Sequence, residues 1–362
     1  MIYHVRGAAR WLRREIAILD PGYFALVMAT GIISNAFYLQ GQRILSDALF
    51  AANLVAYLCL LLFTLLRLSG FRSAFWAEFA NPRRVFLFFT FVAATDVLGI
   101  AIGFRGFATF ALVMWLFALG LWSALIYFAF AVLAFLNTTD RANIVEGAWL
   151  NAIVATQSLV ILGTASALPV AHGATAVVVL LYTLWTIGLF LYGIFVVLLC
   201  YRMFFSALAP QDVTPPLWIV MGAAAISANA GSLLIGSGAP FLHAVEPFLY
   251  GVTLSLWAWA TWWIPLLLLL GIWKHGIHRV PINYTPTLWS IVFPLGMYGV
   301  ATLRLSRFTD APGFGTWSWV MIWIALAAWS ATSVGLVRAS AARRLPRSMS
   351  GRRLSQVHRS QQ

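Results

Sequence analysis

Charged residues are scarce in this sequence. Asp, Glu, Lys and Arg make up 9% of the 362 residues, and mean hydropathy is +0.88, whereas soluble domains carry about 25% charged residues. A soluble globular protein is therefore excluded, and the composition predicts one polytopic membrane domain. Acidic residues are fewer than basic residues, 10 against 23. The basic excess lies in loops and termini, which is typical of membrane topology and of contact with lipid headgroups, and does not indicate a nucleic-acid partner.

The sequence also lacks the groupings that catalysis or metal binding requires. Cys59 and Cys200 lie in separate apolar segments, so no disulfide framework is indicated. The only lysine, Lys274, precedes His275, so there is no phosphate-binding P-loop. His275 and His278 are three residues apart with no Cys, Asp or Glu near them, which is a weak metal signal. We therefore expect a protein that is not an enzyme and that holds neither a metal nor a cofactor.

Ten apolar segments are long enough to cross about 30 Å of hydrocarbon. They are predicted at about 21–39, 46–66, 85–104, 107–136, 147–168, 174–201, 215–236, 244–273, 286–303 and 315–338. Nineteen of the 23 basic residues lie in the termini and in the loops after the even segments. The positive-inside rule then places both termini in the cytoplasm, which an even number of spans also requires.

These segments divide the chain into three parts. Residues 1–20 are predicted to form a basic amphipathic segment on the cytoplasmic face, and residues 71–84 resemble it. Residues 21–340 are the ten-helix membrane domain. Residues 341–362 are rich in Arg and Ser, which is typical of a disordered tail. The expected location is the cell membrane, in bacteria the inner membrane.

The odd-numbered segments repeat one pattern at intervals of roughly 61 to 71 residues. Some copies open with proline and an aromatic residue three positions on, and some carry an Ala-Thr pair deeper in the segment: Pro21 with Phe24, Pro215 with Trp218, Pro286 with Trp289, and the pairs that end at Thr30, Thr95 and Thr156. The odd segments are richer in small and polar residues than the even ones, and such residues belong at helix contacts or beside water. We therefore predict an all-α fold of five helical hairpins with pseudo-fivefold symmetry, in which the odd helices surround a central pore and the even helices face lipid.

Alignment of the copies selects one layer of residues on the pore axis. The layer consists of Met28, Ala93, Val154, Gly222 and Phe293. Phe293 precedes Pro294, and an internal proline kinks a helix, so the ring is a candidate plug or, alternatively, an ordinary packed phenylalanine. Thr30, Thr95, Thr156 and Gly296 are further candidates for the pore lining.

Few charges remain near this axis. Arg304 and Arg307 would add positive charge at the outer mouth, and the N-termini of all five odd helices would do so at the cytoplasmic mouth. Asp96 lies in mid-membrane, where it is either a proton site or a structural hydrogen-bond partner. Asn151, Gln157 and Asn229 are predicted to join helices, with pore lining as the alternative.

Three stretches resemble the tellurite-resistance/dicarboxylate transporter family, which includes slow-type anion channels. They are Pro21-Gly22-Tyr23-Phe24-Ala25-Leu26-Val27-Met28-Ala29-Thr30-Gly31-Ile32-Ile33-Ser34, Trp262-Trp263-Ile264-Pro265 and Trp289-Ser290-Ile291-Val292-Phe293-Pro294-Leu295-Gly296. The resemblance implies ten helices in five hairpins around a pore, a homotrimer, and passage of anions down their electrochemical gradient. It also implies that Phe293 is the gate and that the position of Asp96 would be uncharged.

Two transport functions follow from these residues and this resemblance. One is a channel for small anions such as halide, nitrate, sulfite or C4-dicarboxylate, occluded by Phe293 and selective through ion dehydration. The other is a proton-coupled carrier of C4-dicarboxylate or sulfite that uses Asp96. A membrane-embedded enzyme would need clustered His, Asp or Glu side chains, and the sequence shows no such cluster.

Overall fold

The computed structural model describes residues 12–136, 145–172, 174–307, 309 and 313–344, with side chains as far as residue 341. In this part of the chain, ten helices are long and apolar enough to span a membrane. We number them α1 to α10: Pro21–Leu39, Arg43–Gly70, Val85–Gly103, Ala108–Phe135, Gly147–Val170, Thr175–Phe205, Pro215–Gly236, Pro240–Ile277, Pro286–Leu305 and Phe314–Arg344. The predicted all-α membrane class and the number of spans are confirmed.

Burial separates the odd helices from the even ones. Between 72% and 89% of the apolar window of each odd helix is buried, against between 17% and 39% for the even helices. The odd helices are therefore the inner ones, as their small and polar residues predict. The even helices present Leu, Ile, Val and Phe side chains on their outer faces, where lipid is the solvent.

The inner helices contact one another in chain order, and the last one returns to the first. α1 packs against α3, α3 against α5, α5 against α7, α7 against α9, and α9 against α1. Each inner helix also packs along the outer helix that follows it in the chain. The five predicted hairpins are therefore present and their inner helices form a closed circle of contacts. Fivefold rotational symmetry about that circle stays a prediction.

Every inner helix begins with a short 3₁₀ turn. The turns are Pro21–Tyr23, Val85–Phe88, Gly147–Leu150, Pro215–Trp218 and Pro286–Leu288. They also contact one another in a closed circle, so the N-termini of all five inner helices lie at one end of the protein. The turns approach closely: a Cβ atom on Gly147 would overlap the carbonyl group of Pro216. The opening pattern of the repeat is therefore the sequence that builds this end.

Segment ends differ from the predicted ones mostly in the outer helices. The second helix runs over Arg43–Gly70 rather than about 46–66, and the eighth over Pro240–Ile277 rather than about 244–273. Hydropathy marks only the part of a helix that lies in hydrocarbon, whereas 28 residues of α-helix span about 42 Å and continue into the headgroup region. The last helix continues to Arg344, past the predicted boundary at residue 340.

The predicted interfacial segments are only partly described. A short helix, Arg72–Phe79, lies within the segment 71–84 and carries Trp76, which is 53% exposed. In the N-terminal segment, residues 12–17 are helical and residues 1–11 lie outside the described part. Most of the tail, residues 345–362, also lies outside it.

Candidate ion pathway

A narrow cavity lies between the inner helices, and all five contribute to its wall. Its volume is about 20 Å³. The lining residues are Ile32, Asn35 and Leu39 from α1, Val97 and Ile100 from α3 with Phe104 directly after it, Ser158 and Ile161 from α5, Ile226 and Asn229 from α7, and Met297, Val300 and Arg304 from α9. Within each helix they are three or four residues apart, so each helix turns one continuous face toward the cavity.

The layer chosen from the sequence lies on this same face. Met28, Ala93, Val154, Gly222 and Phe293 each stand four residues, or about one helical turn, before a cavity residue of the same helix. All five are buried, and Phe293 is only 2% exposed. Each layer residue therefore lies about one turn before a cavity residue, toward the N-terminus of its helix, while pore lining by this layer and gating by Phe293 stay predictions.

Pro294 is not turned toward the cavity but toward the neighbouring inner helix. A Cβ atom on Gly222 would lie 2.8 Å from the Cγ atom of Pro294 and 3.2 Å from its Cα atom. Gly296 faces the opposite neighbour, since its Cβ atom would lie 2.8 Å from the Cγ2 atom of Ile32. Gly222 and Gly296 therefore let α9 approach α7 on one side and α1 on the other, and this packing fixes the backbone that carries Phe293.

The three threonines proposed for the pore lining lie on the outward face instead. Each is hydrogen-bonded to an outer helix: Trp329 Nε1 donates to Thr30 at 2.9 Å, the Tyr57 hydroxyl lies 2.9 Å from Thr95 Oγ1, and Trp122 Nε1 donates to Thr156 at 2.8 Å. These positions follow the layer by two residues, which is about 200° around a helix. Their hydroxyls consequently join three inner helices, α1, α3 and α5, to the outer helices α10, α2 and α4, and these three hydroxyls do not form a shared ring around the cavity.

Asp96 is fully buried beside the pathway rather than on it. Its Oδ2 atom lies 2.6 Å from the hydroxyl oxygen of Ser158, which lines the cavity. That hydroxyl also lies 2.8 Å from the carbonyl oxygen of Ala155. The Ser158 hydroxyl donates to the Asp96 carboxyl, so this contact joins α3 to α5 beside the cavity, and the role of Asp96 as a proton site stays a prediction.

The three other intramembrane amides chosen from the sequence have different partners. Gln157 Nε2 donates to the carbonyl of Trp185 on an outer helix at 3.0 Å, which confirms its helix-joining role. Asn151 Nδ2 donates to Ala148 within its own helix start at 2.9 Å. Asn229 lines the cavity, and so does Asn35, which the sequence analysis did not select. Both follow the layer by seven residues, so extending the repeat alignment by two turns would have found them.

The cavity ends at an arginine. Arg304 lines both the cavity and a larger vestibule of about 810 Å³ at the C-terminal end of the inner helices, where Arg307 also lies. Two other arginines at this end interact with neighbouring side chains. Arg105 forms an ion pair with Asp47 at 2.6 Å, and Arg43 lies 3.5 Å from the centre of the Tyr38 ring. Neither Arg304 nor Arg307 forms an ion pair with any acidic residue in the described ranges. The predicted mouth arginines therefore keep their charge available at this end.

The sequence of this chain matches the family model for voltage-dependent anion channels over residues 19–337. The chain belongs to this family. The matched range includes the first nine helices and most of α10, and it confirms the resemblance to the transporter family that includes slow-type anion channels. The family contains anion channels and transporters, which establishes the class of transport but not the ion.

Similar proteins occur in Mycobacterium tuberculosis and in Methanocaldococcus jannaschii. This protein is 40% identical over 155 residues to an uncharacterized membrane protein of Mycobacterium tuberculosis, covering 42% of this chain and 79% of the relative. It is 25% identical over 332 residues to an uncharacterized transporter of Methanocaldococcus jannaschii, covering 86% of this chain and 94% of the relative. A second uncharacterized transporter of that archaeon is 25% identical over 334 residues, covering 87% of this chain and 91% of the relative.

The stretches that carried the family resemblance occupy different places in the fold. Two of them form the first half of α1 and of α9, which are inner helices in direct contact. The third, Trp262-Trp263-Ile264-Pro265, lies on the outer helix α8, where Trp263 is fully buried and Trp262 stacks on Trp259 with ring centres 4.8 Å apart. The family pattern therefore lies partly on two inner helices that line the cavity and partly on an outer helix.

Proposed function

We propose that this protein conducts small anions along the axis of its five inner helices. The observation that supports this most is the cavity, because every inner helix lines it, Phe293 lies next to one end, and Arg304 lies at the other. The substrates would be small inorganic or organic anions, such as halide, nitrate, sulfite or C4-dicarboxylate. Ions would move down their electrochemical gradient across the cell membrane.

The charge arrangement supports anions over cations. At one end, five helix N-termini come together, and each presents free backbone N–H groups and a partial positive charge. At the other end, Arg304 and Arg307 form no ion pair with the described acidic residues. With both termini in the cytoplasm, the helix N-termini would face the cytoplasm and the arginines the outside. An anion would then meet favourable potential at both mouths.

Phe293 would occlude this path. It is 2% exposed and lies on the same face of α9 as Met297, Val300 and Arg304. Replacement of Phe293 by alanine should remove the ring and raise anion conductance. Phe190→Ala is the matched control, because Phe190 lies on an outer helix and is 71% exposed. Equal currents from purified parent and Phe293→Ala protein in planar bilayers would contradict the proposed gate.

The apolar lining suggests how ions would be ranked. In a weakly polar pore the cost of dehydration dominates selectivity, so weakly hydrated anions should pass more readily than strongly hydrated ones. Liposomes that contain the purified protein, tested with a panel of anions, would give this ranking directly. A protein that carries no anion in this assay would overturn the proposed function.

A proton-coupled carrier of C4-dicarboxylate or sulfite is a second candidate, and the contact between Asp96 and Ser158 favours it. A carboxyl that shares a proton with a cavity-lining hydroxyl is placed to exchange that proton during transport. Uptake should then depend on the pH gradient in the parent and lose this dependence in Asp96→Asn. Since an amide oxygen can also accept from Ser158, Asp96→Asn preserves the contact, and unchanged coupling would exclude this mechanism.

We also propose that the protein assembles as a homotrimer in the membrane, as the family resemblance implies. The largely exposed outer helices provide apolar surface for contacts with lipid and with other copies. Native mass spectrometry from detergent or nanodiscs would measure the stoichiometry. A monomer under conditions that preserve transport would contradict the trimer.

A further inference from the structure

A second pocket lies at the end of the protein where the inner helices begin. Its volume is about 410 Å³, within the range of about 300–1,000 Å³ that is typical of sites for small organic ligands. Its wall is formed by residues directly before α3 and α5, by the end of α6, and by the loop between α6 and α7. It shares no lining residue with the cavity between the inner helices. The pocket is therefore separate from the proposed ion pathway.

The pocket wall carries two positive and two negative side chains, so its formal charges sum to zero. The four residues are Arg83, Arg202, Glu146 and Asp212. Arg202 Nη2 lies 3.1 Å from Asp212 Oδ1, and Arg202 Nη1 donates to the carbonyl of Val145. Arg83 and Glu146 form no ion pair with each other or with another group in the described part of the chain. One charge of each sign therefore remains open on the wall of this pocket.

Glu146 is the group that gains most from a cationic ligand. Its carboxyl is partly buried, and this burial raises its pKa, while the positive charges of Arg202, Arg83 and Arg84 act in the opposite direction. Arg84 is itself held by two other carboxylates, and Arg202 by the aspartate described above. A cation that donates a hydrogen bond to Glu146 would offset the cost of keeping this carboxyl ionised.

The same pocket lies where lipid headgroups are expected. Leu199 and Met203 supply part of its apolar wall, and both belong to the last two turns of the outer helix α6. Beside them on α6, Tyr201, Phe204 and Phe205 are exposed, Phe205 to 78%. Exposed aromatic side chains at the end of a spanning helix are typical of the boundary between hydrocarbon and water. A lipid at this boundary could place its headgroup in the pocket and its acyl chains along α6.

We propose that this pocket binds the headgroup of phosphatidylethanolamine. Its phosphate would accept hydrogen bonds from Arg83 and from the remaining N–H groups of Arg202, and its primary ammonium would donate to Glu146. Phosphatidylcholine has the same charges, but its quaternary ammonium has no N–H to donate. Phosphatidylglycerol has a negative charge and no cation for Glu146. A zwitterion with N–H donors is the headgroup that matches both open charges.

A methylation series of one lipid tests the ammonium contact. Detergent-solubilised parent protein is titrated with phosphatidylethanolamine, its N-methyl and N,N-dimethyl derivatives, phosphatidylcholine and phosphatidylglycerol, all with the same acyl chains, and native mass spectrometry gives each Kd. We expect phosphatidylethanolamine to bind about tenfold more tightly than phosphatidylcholine, as one charge-assisted hydrogen bond predicts. The largest step should come with the third methyl group, which removes the last N–H. Equal affinity for the two end members, or tightest binding of phosphatidylglycerol, overturns the proposal.

Two variants separate the ammonium contact from the phosphate contact. Glu146→Gln keeps the shape of the side chain and removes its charge, so the preference for phosphatidylethanolamine over phosphatidylcholine should fall close to one. Arg83→Gln should weaken both lipids alike and leave their ratio unchanged. The matched controls are Glu246→Gln and Arg72→Gln, whose side chains lie outside the pocket. An unchanged ratio in Glu146→Gln, or unchanged affinities in Arg83→Gln, contradicts the corresponding contact.

A water-soluble probe distinguishes the lipid from its free headgroup. Glycerophosphoethanolamine carries the same phosphate and ammonium but has no acyl chains to lie along α6. It should therefore displace bound phosphatidylethanolamine only at a concentration at least tenfold above that of the lipid. Displacement at equal concentration would show that the pocket takes a soluble zwitterion, and the assignment to a lipid would be wrong. These measurements record binding without current, so their outcome does not depend on the proposed conduction.

Discussion

Gly222 leaves room for the ring of Pro294, so that the residue beside the candidate gate is packed against the neighbouring inner helix. A Cβ atom on Gly222 would lie 2.8 Å from Cγ and 2.9 Å from Cβ of Pro294. Such distances require one partner to move, and a proline ring within a helix has little freedom to do so. The position of Phe293 is thus coupled to the absence of a side chain on another helix.

We expect Gly222→Ala to lower the free energy of unfolding by about 1–3 kcal/mol, as is typical of overpacking. Gly251→Ala is the control, because Gly251 is also in a helix but has open space around its Cβ position; there alanine should be neutral or slightly stabilising through its better helix propensity. Thermal unfolding in one detergent compares the two. Equal midpoints would show that α9 adjusts without strain.

The hydrogen bonds between the inner and outer helices give a second prediction. Thr30→Val and Thr156→Val each remove the acceptor for an indole N–H and should destabilise the protein by about 0.6 kcal/mol, the average for such bonds in membranes. Their anion permeability ratios should stay at the parent values, because these hydroxyls lie on the outward face. An altered selectivity would show that these threonines line the pore after all.

These threonines also show what the sequence could and could not predict. The repeat predicted five inner helices, which their burial confirms, and its alignment selected Met28 and Phe293, each one turn before a cavity residue. The same alignment put Thr30 two positions after Met28, which an α-helix turns to the other side. The proposal that both line the pore neglected this rotation. Applying it would also have selected Asn35, seven residues after Met28.

Other features depend on contacts between distant residues, and a single sequence does not reveal those. The pairing of Asp96 with Ser158 joins two helices through residues 62 positions apart. Nothing in the segment around Asp96 indicates which neighbour faces it. The unpaired state of Arg304, against the paired state of Arg105, likewise follows from where Asp47 lies in the fold.

A protonated Asp96, which the proposed proton-coupled carrier requires, should be visible by infrared spectroscopy. The parent should show the carbonyl band of a protonated carboxylic acid in a hydrophobic environment, and Asp96→Asn should lose it. Asp47→Asn is the control, because Asp47 is 62% exposed and pairs with Arg105, so its removal should leave the band unchanged. A spectrum of the parent without this band at neutral pH would show that Asp96 is ionised and would contradict its proposed role as a proton carrier.

The two vestibule arginines should differ in their dependence on salt. Arg307 is exposed at the rim, so the loss of anion current in Arg307→Gln should disappear at about 1 M salt, where the screening length is about 3 Å. Arg304 reaches the cavity itself, with its Nε atom buried. The loss in Arg304→Gln should persist at the same salt concentration. Single-channel currents at low and high salt test this, and identical salt dependence in the two variants would contradict it.

Glu146 predicts a pH effect on stability at the end where the helix N-termini meet. Burial raises the pKa of this carboxyl above its ordinary value of 4.5, and nearby Arg202, Arg83 and Arg84 oppose the shift only in part. Because the folded pKa is the higher one, the protonated side chain favours the folded state below about pH 4.5. This contribution is lost as pH rises through the folded pKa.

Glu146→Gln should therefore gain thermal stability relative to the parent as pH increases from the acidic range toward neutrality. Unfolding midpoints of the two proteins across this range provide the measurement. A constant difference between them at all pH values would show that burial does not govern this carboxyl, and a difference that shrinks with rising pH would reverse the sign of the shift.

The closed circle of inner helices has a consequence for biogenesis. The first inner helix needs the last hairpin to complete its surroundings, since Trp329 donates to Thr30 across 299 residues of chain and α9 packs along α1. During synthesis, the polar face of α1 therefore lacks its final contacts until nearly the whole protein has been inserted into the bilayer. A ribosome stalled before α9 would leave an open bundle with its asparagine and serine side chains facing lipid, which is the kind of intermediate that membrane quality control recognises.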